Sequence, residues 1–175
     1  MKSSLQWLIQ VVAAGATTIA SAELGVTETN AATFYRNFVR LTERPHPVAP
    51  LTAALCTIPS QAVVEREKQF TGPHYKTSVH LYASPAALPA IKSRATPFPA
   101  GAVIVKEKLT SEGKVSGVGG MIKRQPGYDA ANGDWEYFYF GGPGEFSSGR
   151  LESCVACHRA AKSTDHVYSV WNHER

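Results

Sequence analysis

The chain has 175 residues, of which 43% are hydrophobic and 18% are charged. This length and composition are typical of one globular domain with a hydrophobic core, and they exclude a mostly disordered chain. The formal net charge of +4 at pH 7 comes from lysines and arginines that are scattered along the sequence, so nucleic acid is not an expected partner.

Residues 1–22 predict an export signal. Lys2 gives a positively charged start, residues 7–14 are mainly apolar, and the small residues at 20–22 form a cleavage site. A membrane anchor is the alternative, but polar side chains interrupt the segment, which lacks the roughly 18 consecutive apolar residues that a spanning helix needs. We therefore expect a periplasmic or otherwise exported protein whose single domain spans residues 23–175.

The first predicted element is an amphipathic helix over residues 27–41. Phe34, Phe38 and Leu41 recur at i, i+4 and i+7 behind polar capping candidates. The prolines of residues 43–50 are expected to forbid regular structure. The connection from there to about residue 74 is expected to be irregular, with one helical turn within it.

Strands dominate the rest of the chain. Alternating side chains predict a strand over residues 76–83, and a short helix follows, with Ser84 as its cap and Pro85 at its first position. Strands joined by short turns pair antiparallel, so the sequence predicts an α+β fold with a predominantly antiparallel sheet and peripheral helices. Turn signals separate three further strands, predicted over residues 101–109, 117–124 and 134–140.

Two of the three cysteines, Cys154 and Cys157, are separated by two residues, and His158 follows directly. The third, Cys56, has apolar neighbours that predict a buried, inert thiol. A zinc site would need a second pair of soft ligands, which Cys56 alone does not supply. A thioredoxin-like disulfide would follow an early strand, whereas this pair comes late in the sequence.

The C-x-x-C-H pattern is instead the signature of haem c attachment. Two thiols one helical turn apart reach the two vinyl groups of the porphyrin, and the adjacent imidazole meets the iron. This attachment takes place outside the bacterial cytoplasm, which agrees with an export signal. The sequence therefore predicts a C-terminal attachment segment with one covalent haem c, bound through Cys154 and Cys157, and with His158 as the proximal ligand of the iron.

Several segments between residues 75 and 170 resemble the cytochrome P-460 family, which includes cytochrome c-prime-beta. The resemblance implies an antiparallel sheet that holds a five-coordinate c-type haem with one open face. Members are often dimers, so the resemblance also allows a homodimer. The matching segments are FPAGAVIVKEKL at 98–109, GGMIKR at 119–124, the strand at 134–140, CVACH at 154–158 and TDHVYS at 164–169.

The resemblance gives Lys106 a special position. In family members that oxidise hydroxylamine, a lysine is bonded covalently to a meso carbon of the porphyrin, and Lys106 is the matching residue. Along a strand, Lys106 shares its side with Ala102 and Ile104, where it could lie against a haem. The alternative is that Lys106 belongs to a solvated strand end and covers the sheet with its aliphatic stem.

At one place the sequence departs from the hydroxylamine-oxidising members. They place a proton-accepting glutamate in the next strand, where this sequence has Gly119. Glu107 and Glu136 are candidate substitutes, although most carboxylates lie at protein surfaces. Met121 would make an electron carrier if it ligated the iron, but core packing is the simpler interpretation.

Three functions follow from these residues, in this order. The first is a haem-dependent oxidoreductase that acts on hydroxylamine or nitric oxide; Lys106 favours it and Gly119 weakens it. The second is a non-catalytic binder of nitric oxide or carbon monoxide, favoured by an apolar pocket without an acid. The third is an electron-transfer cytochrome, which needs a sixth protein ligand. Each of these three functions allows a redox partner cytochrome.

Overall fold

The structure is a computed structural model that describes residues 25–47, 65 and 78–168. The predicted export signal at 1–22 and the buried thiol at Cys56 lie outside these residues, as does most of the predicted irregular connection. The predicted domain span of 23–175 stays a prediction.

Seven strands in the described part of the chain form one antiparallel sheet, in the order β1-β3-β4-β5-β6-β7, and β2 also pairs with β3. This arrangement confirms the predicted α+β fold with a predominantly antiparallel sheet. β7 has no counterpart among the predicted strands, because its sequence, FSSG, contains a single apolar residue. The strands are β1 (Val39–Arg40), β2 (His46–Pro47), β3 (Ser78–Ala83), β4 (Val103–Leu109), β5 (Val115–Lys123), β6 (Trp135–Phe140) and β7 (Phe146–Gly149).

Two short α-helices accompany the sheet within residues 78–168. α1 (Leu88–Ser93) follows β3, and α2 (Glu152–His158) follows β7. Two 3-10 helices cover Ala130–Asn132, between β5 and β6, and Arg159–Thr164, directly after α2. No helix among these described residues has the length and apolarity that crossing a membrane requires.

Each side of the sheet carries its own core, because side chains alternate along a strand. Ile104, Met121 and Tyr137 occupy paired positions of β4, β5 and β6 on one side of the sheet, which is called the Met121 face. Residues of α1, α2 and the segment after α2 complete this core. The opposite side, the Phe138 face, is covered by residues 26–38, which precede β1. α2 therefore packs against the Met121 face of the sheet.

The predicted helix over residues 27–41 is wrong. Residues 28–37 form successive hydrogen-bonded turns, and most of their backbone bonds join residues three apart, such as Phe38 N to Tyr35 O at 2.8 Å. The adjacent side chains of Phe34 and Tyr35 both pack toward the Phe138 face. Tertiary contacts with the sheet, rather than the local spacing of apolar residues, therefore decide the conformation of this segment.

Two predictions near β3 are also corrected. α1 begins at Leu88 rather than at Pro85. The Ser84 hydroxyl does not cap the helix, because it accepts a hydrogen bond from the Val103 N–H at 2.9 Å. Pro47, which was expected in irregular structure, lies in the two-residue strand β2. Such a short strand at a sheet edge is a position that proline tolerates.

Candidate functional site

Side chains from three strands and from α2 meet in one cleft on the Met121 face. This cleft contains three of the four residues predicted to hold a haem, and the fourth, Cys157, directly precedes His158. The lining residues that matter for its chemistry are Lys106 on β4, Gly119 and Met121 on β5, Tyr137 on β6, and Cys154 and His158 on α2.

α2 presents the C-x-x-C-H motif to the cleft because the helix is anchored in the core. Val155 is buried in the cluster of the Met121 face, and Cys154 packs against the same cluster. Glu152 lies in the first turn, where a carboxylate interacts favourably with the helix dipole. Cys154, Cys157 and His158 stand at i, i+3 and i+4, so they share one side of the helix.

The His158 ring is held by one short hydrogen bond and by two aromatic rings. Its Nδ1 donates to the His166 carbonyl oxygen at 2.6 Å, and the ring centroids of Tyr137 and Tyr168 lie 5.1 and 5.3 Å away. Burial, followed by the nearby charge of Lys106, lowers the pKa of His158 to about 4. The ring is therefore uncharged at neutral pH, with Nε2 available as a metal ligand.

Both cysteines of the motif are free thiols and are half-buried. Burial raises the pKa of the Cys154 thiol, which keeps it protonated at neutral pH. The Tyr168 hydroxyl donates to the Cys157 carbonyl oxygen at 2.7 Å and lies 3.5 Å from the Cys157 Sγ. The segment after α2 is thus fastened to the motif.

Lys106 lies in the wall of the cleft rather than at a solvated strand end. It is half-buried, and on the sheet it lies between Leu81 of β3 and Gly119 of β5. Burial lowers the pKa of Lys106, and the thiols of Cys157 and Cys154 act in the opposite direction. A desolvated lysine has more of the neutral amine, which is its nucleophilic form. Contact between Lys106 and a group bound in the cleft stays a prediction.

The two candidate substitutes for the missing acid are on the wrong side of the sheet. Glu107 belongs to the Phe138 face, where its carboxylate accepts hydrogen bonds from the hydroxyls of Tyr35 at 2.7 Å and Tyr82 at 3.1 Å. Glu136 shares this face and pairs with Arg124 at 2.7 Å. A strand residue cannot change face without a shift of register. Glu107 and Glu136 therefore do not replace the acid, and the prediction that they could is wrong.

A buried ion pair beside the cleft was missed by sequence reasoning. Lys123 Nζ lies 2.6 Å from an Asp165 carboxylate oxygen, and both side chains are 9% exposed. Asp165 belongs to the segment 164–169 that resembles the family, and this resemblance was the sequence signal for that residue. The sequence around Lys123 carried no such signal, because a lysine that ends a strand is normally solvated.

The residues of the cleft fit a haem of the c type. Two free thiols and an imidazole whose Nδ1 is already hydrogen-bonded are the donor set that such a haem requires. In addition, the Tyr137 hydroxyl is buried in the cleft wall without a hydrogen-bond partner among the described residues. A buried polar atom of this kind is normally satisfied by a bound group or by water.

A C-x-x-C-H helix packed on an antiparallel sheet, with its histidine fixed at Nδ1, defines a c-type haem protein. Comparison with family models agrees, because the Cytochrome P460 model matches residues 59–169. The chain belongs to the Cytochrome P460 family, which confirms the family that the sequence motifs resemble. It is therefore a c-type cytochrome of the P460 kind, and its cofactor is a haem. Comparison with curated proteins gave no match.

Proposed function

We propose that this chain is an exported mono-haem cytochrome that binds and slowly oxidises small nitrogen compounds, with hydroxylamine and nitric oxide as the substrate class. Lys106 carries the proposal, because it lines the same cleft as Cys154 and His158. Cys154 and Cys157 attach the haem through thioether bonds, and His158 is the proximal ligand of a five-coordinate iron. Electrons leave to a redox partner cytochrome.

The bound haem supplies a redox-active iron with an open coordination position. The chain's own residues do the rest. His158 keeps its Nδ1–H on the His166 carbonyl, which fixes the ring and leaves Nε2, away from that bond, free to bind a metal. Ile104 and Met121 form an apolar wall that limits water in the cleft. No carboxylate is among the described residues of this cleft, so protons from the substrate pass to water, which makes the oxidation slow.

A second candidate function is non-catalytic binding of nitric oxide or carbon monoxide. The acid-free cleft favours it, because gas binding requires no proton acceptor. The electron-carrier alternative needs Met121 as a sixth ligand. Met121 is 4% exposed and packs in the core with Ile104 and Tyr137, which favours a structural role for its side chain.

Three further proposals come from the sequence. Residues 1–22 direct export to the periplasm, where covalent haem attachment takes place, and the mature domain begins at residue 23. A homodimer is an allowed assembly of the family.

The proposed attachment is tested by expressing the full chain with the haem c maturation system. Wild type is expected to keep its haem through acid-acetone extraction and in denaturing gels. Cys154→Ser/Cys157→Ser should lose it, whereas Cys56→Ser, the matched control, should keep it. Freely extracted wild-type haem would end the c-type assignment.

The two candidate functions are then separated by turnover. Hydroxylamine is mixed with the holoprotein and an artificial electron acceptor, and reduction of the acceptor is followed. Consumption of hydroxylamine supports the oxidoreductase. Tight binding of nitric oxide without any turnover supports the gas binder. Magnetic circular dichroism of the resting protein should show high-spin iron in either case, and a low-spin His/Met or bis-His signature would leave only the electron carrier.

A further inference from the structure

We propose that the ion pair between Lys123 and Asp165 positions the iron ligand. The pair fixes the His166 carbonyl that orients the His158 ring, and it thereby sets the strength of the iron–histidine bond. The inference rests on the proposed ligation of the iron by His158. Lys123 and Asp165 are positioning residues, since neither lines the cleft.

The His166 carbonyl depends on an unusual backbone turn. Asp165 has a φ of 54° and His166 a φ of 64°, so two consecutive residues with side chains adopt the left-handed region. This conformation is unfavourable for residues that carry a Cβ atom. Such a turn persists only where surrounding contacts hold it. The contacts that hold the turn therefore also determine the position of the His166 carbonyl.

Asp165 is the residue through which the turn is fastened to the sheet. Its carboxylate accepts hydrogen bonds from Lys123 Nζ at 2.6 and 2.8 Å and from the Phe98 N–H at 2.8 Å. Its carbonyl oxygen accepts a hydrogen bond from Trp135 Nε1 at 2.7 Å. Asp165 is therefore joined to the ends of β5 and β6 and to the segment before β4, which are all parts of the rigid sheet.

The surroundings of the turn leave little room for another arrangement. The ammonium of Lys123 lies 5.0 Å from the centroid of the Trp135 ring. A side chain at Gly133 would approach a carbon of the His166 ring to 2.7 Å, so the glycine is packed tightly against the turn. Burying two charges costs desolvation energy that their attraction repays only partly. The main consequence of the pair is therefore a fixed geometry rather than a large gain in stability.

The fixed carbonyl affects the iron through the imidazole. A hydrogen bond from Nδ1 to a carbonyl makes the other ring nitrogen more basic and strengthens its bond to the metal. A stronger donor stabilises ferric over ferrous iron, which lowers the reduction potential. If the turn loosens, the hydrogen bond to His158 weakens. The iron–histidine stretching frequency should then fall and the reduction potential should rise.

The test compares four holoproteins: Lys123→Met, Asp165→Asn, the double variant, and Lys114→Met as the matched control. Lys114 forms an exposed pair with Glu112 at 3.5 Å on the turn between β4 and β5, so its loss removes an ion pair without touching the site. Covalent haem is measured on denaturing gels, the iron–histidine stretch by resonance Raman of the ferrous protein, and the potential by spectroelectrochemistry.

We expect all four proteins to keep covalent haem. Lys123→Met and Asp165→Asn should lower the stretching frequency and raise the potential. The double variant should match them, because the two residues act as one unit. Wild-type values of both readouts in the single variants would overturn the proposal. If the wild-type protein itself lacks an iron–histidine band, the proposed ligation of the iron by His158 is wrong. This outcome is distinct from a failure of the ion-pair proposal.

If these variants do not fold, Trp135→Phe takes their place, because it removes the donor to the Asp165 carbonyl and keeps an aromatic ring in the core. This variant should shift both readouts in the same direction, to a smaller extent. Unchanged values in a folded Trp135→Phe protein would overturn the proposal.

Discussion

Lys106 and Gly119 are directly opposite each other on β4 and β5, and both line the cleft that contains His158. Gly119 has no side chain, so the amine of Lys106 has no neighbouring acid from the paired position. The site thus places Lys106, which matches the lysine of the hydroxylamine-oxidising members only by resemblance, opposite a position without an acid. This combination makes Lys106 and Gly119 the two positions at which the proposed chemistry is tested most directly.

We expect the Lys106 amine to be bonded to a porphyrin meso carbon, because it lies beside both attachment thiols and its environment favours the neutral, nucleophilic form. The new C–N bond would replace the meso C–H bond, and a peroxide would accept the two electrons and two protons that are released. Such a bond breaks the symmetry of the ring, so the main ferrous absorption band of wild type should lie to the red of an ordinary haem c. Lys106→Ala should restore the ordinary spectrum. Peptide mass analysis of wild type should show the segment around residue 106 linked to residues 154–158.

The control for this variant is Lys108→Ala, which removes the next lysine on the same side of β4 and should keep the wild-type spectrum. An ordinary haem c spectrum in wild type that Lys106→Ala does not change would contradict the oxidoreductase function and favour gas binding.

His158→Ala should keep covalent haem, because the two thioether bonds do not involve the imidazole. The iron–histidine stretch in the ferrous resonance Raman spectrum should disappear. His80→Ala is the control, since the Nδ1 of His80 lies 3.0 Å from Thr42 Oγ1 on the Phe138 face, away from the cleft. A retained iron–histidine band in His158→Ala would mean that another histidine is the ligand.

Gly120→Ala should destabilise the fold. A methyl group at Gly120 would lie 2.5 Å from the Ile104 carbonyl oxygen and 2.5 Å from a ring carbon of Phe138. Overpacking of this kind costs about 2 kcal/mol, which corresponds to a fall in Tm of about 6 °C for a domain of this size. Gly25→Ala, where no atom lies within 4 Å of the added methyl, should melt as wild type does. Equal melting temperatures for both variants would contradict the close approach of the Phe138 ring.

Glu107→Gln should affect stability and leave the chemistry unchanged. The carboxylate accepts hydrogen bonds from Tyr35 and Tyr82, and a half-exposed charged acceptor of this kind contributes about 1 kcal/mol to the free energy of unfolding. Hydroxylamine oxidation should stay at the wild-type rate. Glu112→Gln, at an exposed pair, is the control for stability. A large loss of turnover in a folded Glu107→Gln protein would reinstate this residue as a proton acceptor.

The central strands could be predicted because β4, β5 and β6 carry long apolar or alternating runs. The segment 27–41 could not, because the spacing of its aromatic residues suits successive turns as well as a helix. What distinguishes the two is the packing of Tyr35 against strands that are distant in sequence. Short turns of this kind are decided by tertiary contacts rather than by local pattern.

The attachment motif could be predicted because its three residues are local in sequence. The pair of Lys123 and Asp165 could not, because it joins positions 42 residues apart and depends on where β5 ends. The position of Glu107 was in fact predictable. It directly follows Lys106 on a strand, so alternation already sends the two side chains to opposite faces.

Gly119→Glu should accelerate the proposed oxidation of hydroxylamine. The new carboxylate would stand on the Met121 face, directly opposite Lys106, and in the cleft that His158 lines. A positioned general base contributes about 100-fold or more to a proton-coupled step. We therefore expect turnover with an artificial electron acceptor to rise at least about tenfold, which allows for an imperfect position of the acid.

Gly119→Gln is the matched control for this gain, because glutamine has nearly the same size and cannot accept the proton. Both variants should keep covalent haem and high-spin iron. Turnover in Gly119→Glu should rise with pH as the carboxyl group ionises and then level off, whereas Gly119→Gln should show no such rise. If the two variants oxidise hydroxylamine equally slowly, the missing acid is not what limits the reaction, and the gas-binding function becomes the better account of the cleft.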